Sequence, residues 1–315
     1  MKVLILTEGG EKIGFGHITR CIGLYEAFEE KGIISEFVLN GDNNTLDLLK
    51  NKNYQIFNWL KEKDKLFKLV KNANVVIIDS YLAEKSLYDR ISELTDGQIV
   101  MIDDCNRLGY PKGIVINPSI YGDSLNYPQK EGVVYLLGKD YIILRKEFWD
   151  ISEKKINKEV KNFLITFGEI NDFDLVYKMG NYLKGKFDFN FYTVDSKKNR
   201  HDAKEILNLM LKADFCISGG GQTTYELARI GVPTIGICLA KNQRLNLVGW
   251  QEKGFIEYVG WYNNSNLLNK IEGSINKFLT YGKRIKRSKI GRNSVDGKGA
   301  LRLVEMILEI TQKTR

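Results

Sequence analysis

Short apolar runs rich in β-branched residues alternate with longer helix-period stretches along almost the whole chain, and this alternation is what most constrains the fold. Strand candidates fall at residues 3–6, 36–39, 75–78, 99–102, 114–116 and 133–136, then at 162–166, 189–193, 214–218, 234–237 and 256–259. A run such as Val75-Val76-Ile77-Ile78 has no polar alternation, so both of its faces must be covered. The pattern predicts an α/β protein with parallel sheets. A length of 315 residues suits two domains. Between residues 139 and 162 the sequence turns into a charged, helix-compatible stretch that includes Ser152-Glu153-Lys154-Lys155-Ile156-Asn157-Lys158-Glu159. The junction is placed there, giving domains at 1–150 and 151–315. The last segment, 300–311, reads as a helix from the spacing of Leu301, Val304, Ile307 and Leu308. Two Rossmann-like halves with parallel sheets facing a central cleft is the simplest architecture. Ligands of such sheets bind beyond the carboxyl ends of the strands, so the chemistry should lie in the loops there.

Two of these loops carry a strong pattern. The first strand is followed by Gly9-Gly10-Glu11-Lys12-Ile13-Gly14-Phe15-Gly16-His17 and then by a helix with Ile18, Cys21, Ile22, Tyr25 and Phe28 on one face. Gly14 and Gly16 let a ligand approach the backbone, and the helix start offers N–H groups and a positive dipole end to an anion. His17 at that helix start suits a general base, because the positive dipole end disfavours a second positive charge on the ring. Arg20 follows three residues on and could meet a negative leaving group. The loop lacks the third glycine of a dinucleotide fingerprint, Thr19 standing there, and no Gly-Lys-Ser/Thr of a P-loop follows.

The second loop is Ser218-Gly219-Gly220-Gly221-Gln222-Thr223-Thr224-Tyr225-Glu226, again a strand, a glycine turn and a helix. Gly219, Gly220, Gly221 and Thr223 form a candidate anion cradle. Glu226, one turn into the helix, has two acceptor oxygens that match a pair of ribose hydroxyls. Gly231 and Pro233 end that helix. After the next strand, Lys241-Asn242-Gln243 offers amides to hydroxyl or phosphate oxygens. Two further strand ends carry acids, Asp79-Ser80-Tyr81 and Asp103-Asp104. Adjacent residues on a strand point to opposite faces, which argues against a metal pair at Asp103 and Asp104.

Composition narrows the partners. The formal charge is +8, but lysines are spread among acids, with one concentration from Lys283 to Lys289 that reads as a solvated helix face. Peripheral contact of that face with a membrane or an anionic ligand stays open, whereas nucleic acid is not expected. No apolar run reaches the roughly 20 residues of a membrane span, and the first residues lack a secretory layout, so a cytoplasmic location is expected. Cys21, Cys105, Cys216 and Cys238 show no CxxC pair, and with His17 and His201 as the two histidines no zinc site can be assembled. No cofactor is expected.

Taken together, Ile13-Gly14-Phe15-Gly16-His17-Ile18-x-Arg20, Asp79-x-Tyr81, Asp103-Asp104, Leu144-Arg145-x-Glu147-Phe148, the 219–226 loop, Lys241-Asn242-Gln243 and Asp296-Gly297-Lys298-Gly299-Ala300-x-Arg302 resemble the UDP-sugar hydrolases of pseudaminic acid biosynthesis, in the GT-B superfamily. The resemblance covers nearly the whole chain. It implies that the second domain holds UDP and the first faces the sugar, UDP-2,4-diacetamido-2,4,6-trideoxy-β-L-altrose, which is hydrolysed at the anomeric carbon without a metal. Carried onto this sequence, His17 activates water, Tyr81 and Asn242 place the sugar or the water, Glu226 holds the ribose, and Gly168 and Gln243 join the substrate-binding set. One departure stands out. Thr166-Phe167-Gly168-Glu169 replaces the family's glycine pair and puts a carboxylate near the expected diphosphate. Two alternatives share these residues: a glycosyltransferase that passes the sugar to an acceptor alcohol, and a non-catalytic sugar-nucleotide sensor.

Overall fold

A computed structural model describes residues 1–10, 13–167, 173–194 and 202–313. The chain divides into two compact units, Met1–Lys146 with Lys298–Arg315, and Glu147–Gly297. Every strand candidate from the sequence coincides with a strand, those at 189–193 and 214–218 beginning one residue early. The first unit holds β1 (Val3–Gly9), α1 (Gly16–Glu30), β2 (Ser35–Gly41), β3 (Tyr54–Ile56), α2 (Lys63–Val70), β4 (Val75–Asp79), α3 (Lys85–Leu94), β5 (Gln98–Ile102), β6 (Gly113–Asn117) and β7 (Val133–Leu137). Its strands form one parallel sheet in the order β3-β2-β1-β4-β5-β6-β7. All seven residues of β1 and all five of β4 are buried, as their unbroken apolar runs require. Leu4, Leu6, Val76, Ile78 and Met101 on one face pack against Trp59, Leu66, Val70, Tyr88 and Ile91.

The second unit holds β8 (Asn162–Thr166), α4 (Phe173–Lys184), β9 (Asn190–Thr193), α5 (Ala203–Lys212), β10 (Phe215–Gly219), α6 (Thr223–Ile230), β11 (Thr234–Cys238), α7 (Arg244–Lys253), β12 (Ile256–Trp261), α8 (Leu267–Phe278) and α9 (Tyr281–Ser294). Its parallel sheet runs β12-β11-β10-β8-β9. Phe163, Ile165, Phe215, Ile217 and Ile235 meet Met179, Leu183, Ile271, Ile275 and Phe278 in its core. The last helix, α10 (Gly299–Lys313), packs on α1, so residues 298–313 belong with the first unit, where the sequence alone ran the second domain on to 315.

The strand orders explain where the sites form. In the first sheet the chain leaves β1 toward β2 on one side and returns to β4 on the other, with Thr7 opposite Asp79 in register. In the second sheet the same reversal falls between β8 and β10, with Thr166 opposite Ser218. A crevice opens beyond the carboxyl ends at such switch points. Both glycine loops of the sequence lie there.

Three expectations change. Strand β3 has no counterpart among the sequence candidates, because three residues at a sheet edge are too few to show a period. The charged stretch 139–162 is not helical beyond the short 3₁₀ turns Lys139–Tyr141 and Lys146–Phe148. Its backbone is instead held by side chains from elsewhere in the second unit. Asp214 Oδ2 accepts from the Lys161 and Asn162 N–H groups at 2.8 and 2.9 Å, and the Arg284 guanidinium donates to the Asn157 and Lys158 carbonyls at 2.8 and 2.7 Å. The basic run on α9 is therefore not wholly a solvated face: Lys283, Lys286 and Lys289 are exposed, while Arg284 is fully buried. Cys21, Cys216 and Cys238 are buried free thiols and Cys105 is exposed. Among the described residues, no helix is long and apolar enough to cross a membrane.

Candidate functional site

In the first unit, β1 ends in a tight turn: Gly10 and Gly14 exchange backbone hydrogen bonds of 3.2 and 2.8 Å, with positive φ at both. The turn hands the chain to α1, which starts at Gly16 without a side-chain cap, with His17 as its second residue. A Cβ added to Gly14 or Gly16 would meet nothing within 4 Å, so open space lies in front of both. The His17 side chain is 12% exposed. Its ring meets the Tyr81 ring edge-on at 4.5 Å between centroids. Its Nδ1 is buried without a hydrogen-bond partner, 3.9 Å from Glu8 Oε1, and its Nε2 makes no hydrogen bond among the described residues.

Behind this ring runs a chain of polar groups drawn from the ends of β4 and β5 and from α1. Tyr81 donates its hydroxyl to Asp104 Oδ1 at 2.6 Å. Asp104 Oδ2 accepts from Arg20 at 3.0 Å, and Arg20 forms a two-pronged pair with Asp79 at 2.8 and 2.6 Å. Burial works against the Arg20 charge, but Asp79 and Asp104 outweigh it and hold the guanidinium protonated. Burial would raise the Asp104 carboxyl, yet Arg20 and Tyr81 together keep it below the usual carboxylate range. Burial and then the Asp104 charge push the Tyr81 hydroxyl above the ordinary tyrosine range, so it serves as a donor.

This geometry revises one expectation. Arg20 is 7% exposed and gives three hydrogen bonds to two carboxylates, so it braces the site, a role the sequence did not show. Nor do Asp103 and Asp104 sit on a strand. β5 stops at Ile102, so Asp103 and Asp104 lie in a loop where their donor atoms and that of Cys105 come within 4.8 Å of one another. The carboxylate oxygens are nevertheless engaged: Asp103 accepts from the Cys105 and Arg107 N–H groups at 3.1 and 2.7 Å, and Asp104 from Tyr81 and Arg20. Partial burial of the sulfur and then Asp103 push the Cys105 thiol up to about 12. We assign no metal here.

In the second unit, Gly219 and Gly220 are buried and Gly221 and Thr223 half-buried at the start of α6. A Cβ on Gly220 would lie 2.7 Å from Leu247 Cγ and 2.8 Å from the Gln243 carbonyl, so this glycine is demanded by packing as well as by any ligand. The loop is stitched on both edges. Gln243 Oε1 accepts from the Gly220 and Leu239 N–H groups at 3.0 and 3.2 Å, and Asn246 Nδ2 donates to the Gly220 carbonyl and to Thr224 Oγ1, both at 2.9 Å. Gln243, read from sequence as a ligand contact, is 7% exposed and braces the loop through Oε1. Asn242 is exposed in the 3₁₀ turn Lys241–Gln243. Glu226 is 3% exposed in the first turn of α6. Gly231 ends that helix in the left-handed region, φ 85°, as its place in the sequence predicts. Gly168, Glu169 and His201 lie outside the described residues.

Sequence reasoning missed Glu8, Ser80 and Asn246. The strand candidate at 3–6 stops short of Glu8, which β1 includes, and the other two are polar residues in helix or turn contexts where nothing local marks them.

No family model matches the sequence. The spore coat polysaccharide biosynthesis protein SpsG of Bacillus subtilis is 24% identical across 99% of both chains. The UDP-2,4-diacetamido-2,4,6-trideoxy-β-L-altropyranose hydrolase of Campylobacter jejuni is 22% identical across 82% of this chain and 99% of its own. The chain spans about half the length of two other curated relatives it matches. Among solved structures, MurG of Acinetobacter baumannii superposes with a TM-score of 0.68 over 98% of this chain and 99% of that one, at 14% identity. The chain thus has the GT-B-like fold and is related in sequence to a protein of polysaccharide biosynthesis and to proteins named as UDP-2,4-diacetamido-2,4,6-trideoxy-β-L-altropyranose hydrolases.

Proposed function

We propose that the protein hydrolyses a UDP-sugar, UDP-2,4-diacetamido-2,4,6-trideoxy-β-L-altrose or a close relative of it, for surface-sugar biosynthesis. Water attacks the anomeric carbon, the bond from that carbon to the diphosphate oxygen breaks, and UDP leaves with the free sugar. His17 Nε2 takes the proton from the attacking water. Tyr81 and Asn242 place the sugar or the water, and Gly14 and Gly16 leave room for it. In the second unit, Gly219–Gly221 and Thr223 receive the diphosphate and Glu226 the ribose. The observation that carries this reading is His17 itself: its ring is packed on Tyr81 at the head of α1, beside the open face of two glycines, with Nε2 uncommitted.

A glycosyltransferase would use the same base on an acceptor hydroxyl, and the likeness to MurG favours that reading as the second one. Purified protein incubated with the UDP-sugar and no acceptor separates the two. Stoichiometric release of UDP and free sugar is expected; release that waits for an added acceptor alcohol would replace the hydrolase with the transferase.

Glu226→Gln is expected to weaken UDP binding about tenfold, roughly 1.4 kcal/mol, in a calorimetric titration. The neutral amide keeps one acceptor and loses the charge-assisted hydrogen bonds to the ribose hydroxyls. Unchanged affinity would remove Glu226 from the ribose site.

A further inference from the structure

Glu8 is the one ionisable side chain within β1, and it is fully buried. A charge in that position costs several kcal/mol unless donors surround it. Three do. Glu8 Oε1 accepts from the Tyr81 and Leu82 N–H groups at 2.7 and 3.2 Å, and Oε2 accepts from Ser80 Oγ at 2.7 Å. Ser80 Oγ itself accepts from the Leu82 and Ala83 N–H groups at 3.1 and 2.9 Å, so its hydrogen is left for Glu8. Every group that meets the carboxylate is a donor, which fits the acceptor-only ionised form.

This anion faces the buried Nδ1 of His17 across 3.9 Å, too far for a hydrogen bond, and among the described residues no other carboxylate comes as close to that ring. The other charges near the ring among the described residues are already matched. Asp104, beyond β5, is engaged by Tyr81 and Arg20; Arg20, on α1, is engaged by Asp79 and Asp104; and Tyr81 presents its ring edge-on. An unpartnered, buried ring nitrogen and an anion about 1 Å beyond bonding range form an incomplete pair, and catalytic hydrogen bonds of this sort are often long until substrate is bound.

We propose that Glu8 is the positioning residue for His17: its carboxylate accepts the Nδ1–H, which fixes the tautomer that leaves the lone pair on Nε2, and it faces the imidazolium once the ring is protonated. The catalytic half of this statement rests on the hydrolase reading; the tautomer half does not. In the hydrolytic step Nε2 gains the proton that the attacking water loses as its oxygen bonds to carbon and the carbon–diphosphate bond breaks. The proton returns to solvent after UDP leaves. Throughout, Nδ1–H stays directed at Glu8.

The test uses the full chain. With two histidines in the sequence, the ring signals are assigned in long-range ¹⁵N–¹H spectra by comparison with His17→Ala. Neutral His17 of the wild type is expected to carry its proton on Nδ1, and a ring protonated on Nε2 would overturn the proposal. Glu8→Gln removes the charge while keeping an acceptor for the Tyr81 and Leu82 N–H groups. With an unchanged melting curve, it is expected to lower kcat roughly tenfold or more at near-constant KM. A wild-type kcat in that variant would equally overturn it. If the wild type itself turns over no UDP-sugar, the hydrolase reading fails and the tautomer measurement still decides the pairing.

Discussion

Replacing His17 with alanine is expected to lower kcat for UDP release by about 100-fold or more while leaving the UDP dissociation constant within about twofold. The size follows from the step assigned to the ring. Removing a positioned base from a proton transfer takes away about 2.7 kcal/mol of transition-state stabilisation at the 100-fold level. The loop at 219–221, to which the proposal gives the diphosphate, lies in the other unit and is held by Gln243 and Asn246. The fold should tolerate the change, because the imidazole's main contact is the Tyr81 ring, an edge-on pair worth about 1 kcal/mol. Steady-state kinetics on the UDP-sugar and calorimetry with UDP separate the two effects. A variant with wild-type kcat would remove His17 from the chemistry, and parallel losses in UDP affinity would mean that the ring serves binding.

Much of this site is legible in the sequence, but unevenly, and the reason is physical. Glycines, a histidine and a helix period within about ten residues of each other report a local structure, and strand, glycine loop and α1 follow one another in the predicted order. The unbroken apolar runs report strands covered on two faces, and all of them are found. What a local pattern cannot carry is register across a parallel sheet. Glu8 meets Ser80, 72 residues away, because β1 and β4 are neighbours at the switch point, and Arg20 meets Asp79 for the same reason. From sequence, Arg20 on the helix start could look outward as well as inward; the pairing of strands decides that it turns toward two carboxylates. Gln243 is similar. An amide at a strand end looks like a ligand contact until the three-dimensional position of Gly220 makes it a brace. The stretch 149–161 fails for the opposite reason: its local preference for helix is weaker than the hydrogen bonds that Asp214 and Arg284 offer to its backbone.

The second large effect is on stability. Arg20→Met is expected to destabilise the protein by about 3–5 kcal/mol at pH 7, read as a drop in the urea midpoint, because it leaves the buried Asp79 carboxylate and the half-buried Asp104 carboxylate without their shared cation. An exposed pair would contribute about 1 kcal/mol or less, and it is burial that places this one in the larger class: the side chains of Arg20 and Asp79 are 8% and 1% exposed. The pH dependence has a definite sign. Asp104 is held below its usual carboxylate range in the folded protein, so its share of the stability is fully present above the unfolded value and is lost as pH falls through the folded one. The gap between wild type and Arg20→Met should therefore be widest near neutral pH and narrow as the solution is acidified below the ordinary carboxylate range. Arg20→Lys should fall between them, since a single ammonium cannot reproduce the fork that spans Asp79 and also reaches Asp104. A gap of about 1 kcal/mol, flat with pH, would show that the cluster adds little to the fold. The predicted result would tie stability to chemistry, because Arg20 holds Asp104, Asp104 holds the Tyr81 hydroxyl, and the Tyr81 ring holds His17.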